Sequence, residues 1–117
     1  LSSSKIRSLI GFATKARKLV TGNGGVLNSI RQNTAFLVIL AEDATENSRK
    51  TILDKCSYYK KDIIIYGTKE FLGEITGQSQ AAVISITDNQ FAQAIKSLYK
   101  EIYGGGSNGE TKNKCNS

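Results

Sequence analysis

The sequence predicts an α/β fold: a three-layer α/β/α sandwich around a mixed, mostly parallel sheet of about four strands. Two observations carry this. Helix-spaced and strand-like segments alternate along the chain, which is the pattern of a sheet covered by helices. The strand-like segments Ala35-Phe36-Leu37-Val38-Ile39-Leu40-Ala41, Asp62-Ile63-Ile64-Ile65-Tyr66 and Ala81-Ala82-Val83-Ile84-Ser85-Ile86 are apolar with little polar alternation, as strands covered on both faces should be.

The first segment, Ser2-Ser3-Ser4 followed by Ile6, Leu9, Ile10 and Ala13, reads as a serine-capped amphipathic helix, with Phe12 adding to its apolar side. It ends near the basic cluster Lys15, Arg17 and Lys18. Leu19-Val20-Thr21 is a short extended segment, and Gly22-Asn23-Gly24-Gly25 a glycine-rich turn. Val26, Leu27 and Ile30 then supply the apolar face of a second helix. After the first buried strand, Glu42 to Asn47 provides acids and cap residues for a third helix carrying Ile52, Leu53, Cys56 and Tyr59 on one face, with Lys60 and Lys61 at its C-terminal end. Gly67 stops the next strand. Thr68 caps a short helix bearing Phe71, Leu72 and Ile75, and Gly77 ends it. Asp88 caps a final helix with Phe91, Ile95, Leu98 and Ile102 on one face.

With 117 residues the chain is expected to form one domain, over residues 1–103. The stretch 104–117, Gly104-Gly105-Gly106-Ser107 onward, is almost devoid of apolar residues and is expected to be a disordered tail. Sixteen Lys and Arg against ten Asp and Glu give a formal charge of +6, which favours a polyanionic partner such as nucleic acid or an anionic surface. There is no histidine, and the two cysteines, Cys56 and Cys115, make neither a disulfide framework nor a metal site. A reducing cytoplasm is therefore the expected location. No apolar run has the length of a membrane span, and no signal-peptide pattern is visible.

Catalytic chemistry finds little support. Gly22-Asn23-Gly24-Gly25 is not a dinucleotide fingerprint, and no glycine-lysine-serine/threonine string forms a nucleotide P-loop. Glu42 and Asp43 follow a buried strand, as in receiver domains, but the matching acids after a first strand are missing. A carboxylate-rich helix start is the simpler reading. Cys56 stands at core spacing, and the tyrosines at 58, 59, 99 and 103 fall on helices, so no strand-borne stacking platform forms. No catalytic residue, metal ligand or cofactor is expected.

The start of the second helix is the best candidate site. Amides there have no internal partner and sit at the positive end of the helix dipole, and glycines leave them unobstructed. Beside the cluster Lys15, Arg17 and Lys18, such a start is suited to phosphate. Lys15, Arg17, Lys18, Arg31 and Lys69 would give a salt-dependent affinity through counterion release.

Three strings, in the right order on the expected elements, resemble the ribosomal protein L-seven-Ae and L-thirty-e family of kink-turn RNA binders. They are Gly22 to Arg31, Leu37 to Ala44, and Thr68 to Gly73 continuing through Gly77 to Ala81-Ala82-Val83. The likeness covers residues 4–103 and is nearest to the short bacterial members. It implies a non-enzymatic, ribosome-associated protein that grips a sharply bent internal loop of structured RNA such as ribosomal RNA, and a monomer is expected. It also implies site residues. Gly22, Asn23, Gly24, Gly25 and Asn28 would meet the sheared guanine–adenine pairs. Lys69 and the loop Gly77-Gln78-Ser79-Gln80-Ala81 would cover an extruded nucleotide, and Glu42 and Asp43 would shape the wall beside the RNA. The strongest RNA-binding pattern has asparagine and glutamate where Gly24 and Gly25 stand, and lysine in place of Asn28. Binding that leans on backbone amides and cations, weaker and less selective, is the expectation. The alternative is a protein-interaction module that keeps the fold without tight kink-turn recognition.

Overall fold

The computed structural model describes residues 2–104. Its elements are α1 (Ser2–Lys15), β1 (Leu19–Thr21), α2 (Asn23–Arg31), β2 (Leu37–Leu40), α3 (Glu46–Tyr59), β3 (Ile63–Ile65), α4 (Lys69–Thr76), β4 (Val83–Ile86) and α5 (Asn89–Tyr99), with a short π-helix, Lys100–Gly104, after α5. Apart from Gly104, the expected tail and its Cys115 lie outside the described residues. Three capping expectations hold: the side chains of Thr45, Thr68 and Asp88 accept from the amides of Ser48, Phe71 and Phe91. Gly77 ends α4 in the left-handed conformation, at φ 79°. The serines at the start fall inside the first turn of α1 rather than ahead of it.

The four-stranded sheet has the order β1-β4-β2-β3. Only β2 and β3 run parallel; β1 pairs with β4, and β4 with β2, antiparallel. The sheet is therefore mostly antiparallel, which corrects the expectation of a mostly parallel one. The cause lies in α4. A parallel crossover needs a helix long enough to carry the chain back along the sheet. The eight-residue α4 does not do so, because the Ala81 amide donates to the Lys69 carbonyl at 3.0 Å, closing the excursion where it began. β4 then starts at the end where β3 finished and must run the other way. An apolar strand without alternation reports two covered faces, not a direction.

Both faces are covered. Leu37, Ile39, Ile64, Ile84 and Ile86 pack with Ile6 and Ile10 of α1, Leu72 of α4 and Ile95 of α5. Val38, Leu40 and Val83 face the other layer, with Val26 and Ile30 of α2 and Ile52 and Cys56 of α3. Of the residues expected on the apolar face of α3, Leu53 and Tyr59 are instead exposed, and Phe12 of α1 is 57% exposed. At about 25 cal/mol per Å² these side chains leave a sizeable apolar area in water.

The register defines two ends of the sheet. At the upper end, β1, β2 and β3 finish and β4 begins, with Leu40 paired to both Val83 and Ile65. At the lower end, Leu19 and Leu37 both pair with Ile86.

Candidate nucleic-acid interface

The upper end gathers three helix starts. α2 opens at Gly22, whose φ of 87° lies in the region that favours glycine, and whose amide donates to the Val83 carbonyl at 3.1 Å. Its first helical bond runs from the Val26 amide to the Gly22 carbonyl at 2.9 Å, so the amides of Asn23, Gly24 and Gly25 precede the ladder. No side chain caps this start. The two inner glycines differ in kind. A Cβ at Gly24 would meet nothing within 4 Å, whereas one at Gly25 would come within 2.6 Å of Val20 Cγ1. Gly24 therefore keeps a surface bare, while Gly25 lets the helix seat on β1.

Gly24, Asn28 and Arg31 follow at i, i+4 and i+7, and Asn28 and Arg31 are exposed. Asn28 thus stands one turn beyond the bare start. Asn23 is tied across to α3, its Nδ2 donating to Ser48 Oγ at 3.0 Å.

The start of α4 lies at the same end. The Lys69 amide donates to Asp43 Oδ1 at 2.8 Å, and the Glu42 amide to the Gly67 carbonyl at 2.7 Å. Asp43 therefore complements the positive end of α4, as a carboxylate-rich turn beside a helix start should. Loop 77–81 returns over α4: the Gln78 amide donates to the Gly73 carbonyl at 2.8 Å, and Gly73 lies so close that a Cβ would fall 2.7 Å from Gln80 Cα. Gln78, Ser79 and Gln80 are exposed, and Ala81 is buried as the anchor. The structure thus brings Gly22, Asn23, Gly24, Gly25, Glu42, Asp43, Lys69 and loop 77–81 to one end.

It does not bring the basic cluster there. Lys18 precedes β1, and its carbonyl accepts from the Thr87 amide at 2.9 Å, at the lower end. Lys15, Arg17 and Lys18 are therefore not beside the helix mouth, and Arg31 closes α2 at the lower end too. A strand of three residues spans about 10 Å, enough to carry neighbours in sequence to opposite ends.

One cation that sequence reasoning passed over belongs to the upper end. Arg49 Nη2 donates to the Glu42 carbonyl at 2.9 Å, which holds a guanidinium beside the acidic turn. Its only sequence signal is its place in the first turn of α3, four residues after the cap. Cys56 is inert as a nucleophile: burial, with a smaller push from Asp62, raises its thiol to about 12. No group of three or more metal-ligating side chains occurs among the described residues, and none of their helices is long and apolar enough to cross a membrane.

Residues 4–96 match the ribosomal protein L7Ae/L30e/S12e/Gadd45 family. The chain is 40% identical over 90 residues to the RNA-binding protein YlxQ of Bacillus subtilis (strain 168), covering 77% of this chain and 90% of that protein. It is 36% identical over 94 residues to the RNA-binding protein YlxQ of Enterococcus faecium, covering 80% and 90%. Among solved structures, a protein of unknown function from Bacillus halodurans superposes with a TM-score of 0.77 at 34% identity, covering 80% of this chain and 95% of that one. The Giardia lamblia 15.5kD RNA binding protein superposes with a TM-score of 0.71 at 18% identity, covering 86% and 87%, a likeness of fold.

Proposed function

The chain belongs to the ribosomal protein L7Ae/L30e/S12e/Gadd45 family, and from that premise we propose that it is a cytoplasmic RNA-binding protein, ribosome-associated and monomeric, that holds a kink-turn-like elbow of structured RNA at its upper end. The task is recognition, without catalysis. The observation that carries the reading is the bare start of α2. Three amides ahead of the helical ladder open beside Gly24, whose Cβ position is empty, on the same end as Lys69 and loop 77–81. The names of the Bacillus subtilis and Enterococcus faecium relatives support the same partner class.

Base edges splayed from a bent internal loop are accessible, whereas those of an A-form duplex are hidden in a deep groove. A fixed row of amides can donate to acceptors on such edges or to the adjoining phosphate, and the dipole of α2 favours anionic groups there. Lys69 and Arg49 supply nearby charge, and the exposed amide side chains of Gln78 and Gln80 can donate and accept on a turned-out base. Asn28, one turn along, is neutral, so the site reads shape and hydrogen-bonding groups more than charge.

Gel-shift titration of a kink-turn RNA against a straight duplex of the same composition, at two salt concentrations, tests this. The expected result is a preference for the kink-turn that survives higher salt. Equal affinity for both RNAs, vanishing together as salt rises, would refute it. Asn28→Lys should strengthen kink-turn binding about fivefold, the worth of one added exposed cation of ~1 kcal/mol. No gain would show that RNA does not pass this turn of α2.

A further inference from the structure

The lower end of the sheet carries the cations that the upper end lacks. Lys15, Arg17 and Lys18 lie between α1 and β1, Arg31 closes α2, and Lys60 and Lys61 join α3 to β3. The ladder fixes their common location: Thr87 donates to the Lys18 carbonyl, Phe36 to the Ile86 carbonyl and Val38 to the Asp62 carbonyl. Lys61 reaches across to Asn33 Oδ1. Among the described residues none of these six is within salt-bridge distance of a carboxylate. The two acids of this end are occupied, Asp62 by Lys96 at 2.6 Å and Asp88 by the Phe91 amide at 3.0 Å.

Exposed aromatic rings stand among these cations. Phe36 is 44% exposed at the entry to β2, and Tyr58, 78% exposed, lies against Tyr59 with ring centroids 4.9 Å apart in the turn of α3 that leads into Lys60. Cations and exposed rings at one end of the sheet are the two kinds of contact a single-stranded nucleic acid uses, phosphates on the former and base faces on the latter. Backbone conformation adds a third sign. Arg17 and Lys60 stand at φ 60° and 58°, where glycine would be cheaper, so two turns hold long cationic side chains at a conformational cost.

We propose that the lower end is a second RNA surface, which holds single-stranded RNA with little sequence preference, so that one chain can contact two RNA segments at once. The sheet is four strands wide, roughly 14 Å across the three spacings between Lys18 and Asp62, a run over which a strand can be tracked. Strands of three to four residues, about 10–13 Å, separate the two ends, and at 0.15 M salt the Debye length is about 8 Å, so charge at one end is largely screened at the other. The surface stands whether or not the upper end selects kink-turns.

The test is fluorescence anisotropy of the full chain with a labelled oligouridylate of about 12 nucleotides, titrated at several salt concentrations. Arg17→Glu with Lys60→Glu should lower affinity at least 10- to 30-fold near 0.1 M salt and flatten the log–log salt slope by about 1.4, two phosphates at roughly 0.7 each. Tyr58→Ala should cost about fivefold or more through lost stacking. Arg17→Gly and Lys60→Gly relax the backbone; they should raise the melting temperature while lowering oligouridylate affinity, which separates binding from misfolding. The ratio of kink-turn to duplex affinity should be unchanged in all of them. Lower-end variants that bind oligouridylate as tightly as wild type would overturn the proposal, as would phosphatidylserine vesicles bound in preference to the oligonucleotide. A wild type without kink-turn preference, whose oligouridylate binding still fails in the lower-end variants, would sink the upper-end reading alone and support this one.

Discussion

Gly73→Ala should link the stability of the fold to the shape of the upper end. Gly73 lies on the inner face of α4, and a Cβ there would stand 2.7 Å from Gln80 Cα, 2.9 Å from the Gln78 carbonyl oxygen and 2.9 Å from the Gln80 nitrogen. All three are backbone atoms, so no rotamer change relieves the contact. Nor can the loop drift freely: the amides of Gly77 and Gln78 both donate to the Gly73 carbonyl, and the Ala81 amide donates to that of Lys69. Overpacking costs about 1–3 kcal/mol, against a gain of up to about 1 kcal/mol from alanine in a helix. Three backbone contacts under 3.0 Å put the cost in the upper part of that range, so the net loss is about 1–2 kcal/mol, or a fall in melting temperature of about 5–10 °C for a domain of this size. Because the strain falls on loop 77–81, amide shifts should change there and at Lys69, and kink-turn affinity should drop roughly tenfold, ~1.4 kcal/mol. Gly24→Ala provides the contrast, since its Cβ meets nothing. Stability should hold or rise by a few tenths of a kcal/mol, while a methyl on the bare surface weakens RNA binding. A Gly73→Ala protein with wild-type melting temperature and unmoved loop shifts would refute the close-approach argument.

Three further outcomes follow from single side chains. Ser29 Oγ spends its one proton on the Val26 carbonyl at 2.7 Å, so in the buried pair with Ser85, 2.9 Å away, Ser85 must donate. Ser29→Ala then strands the Ser85 hydroxyl and should cost about 1–3 kcal/mol; Ser85→Ala should cost less, and in chemical denaturation the double alanine should recover part of the Ser29→Ala loss. Asp43→Ala removes the acceptor of the Lys69 amide and should lower stability by about 1 kcal/mol, with Asp43→Asn recovering part of it in thermal melts. Cys56 is raised to about 12 in the folded chain from an ordinary 9.0, chiefly by burial. Its protonated form therefore contributes stability in full below pH 9, lost as pH climbs from 9 toward 12. Compared with Cys56→Ala, whose other titrations are the same, wild type should lose on the order of 1 kcal/mol by pH 10, and parallel stability curves would contradict this.

Much of the fold is legible because its signals are local. Thr45, Thr68 and Asp88 declare helix starts within three residues of the amides they cap, and Gly67 and Gly77 declare stops through positive φ. Strand direction is not local. Val83–Ile86 reads the same to a neighbour on either side in either direction, and what sets it is a bond between Lys69 and Ala81, neither inside a strand. Apolar spacing likewise puts Leu53 and Tyr59 of α3 on a core face that α3 shares with Val26 and Ile30 of α2. Ile52 and Cys56 already fill it, so their neighbours stay outside.

The site shows how sequence adjacency misleads. Lys18 and Gly22 nearly touch along the chain, and that closeness suggested one phosphate site of cations around a helix mouth. Between them lies β1, and a strand moves its two flanks apart by its own length, while Gly22 meets Val83 through a hydrogen bond across the sheet. Every strand here does the same, so residues that precede β1, β2 and β3 share one end and residues that follow them share the other. The glycine mouth, the Asp43 turn and Lys69 all follow strands; Lys18, Lys60 and Lys61 all precede them. Sorting the cations of these segments by that rule, not by distance along the chain, puts Lys69, Arg49 and its neighbour Lys50 at the upper end, and six cations without a carboxylate partner among the described residues, with exposed rings, below. An end that reads shape and an end that holds strands are therefore separable by mutation.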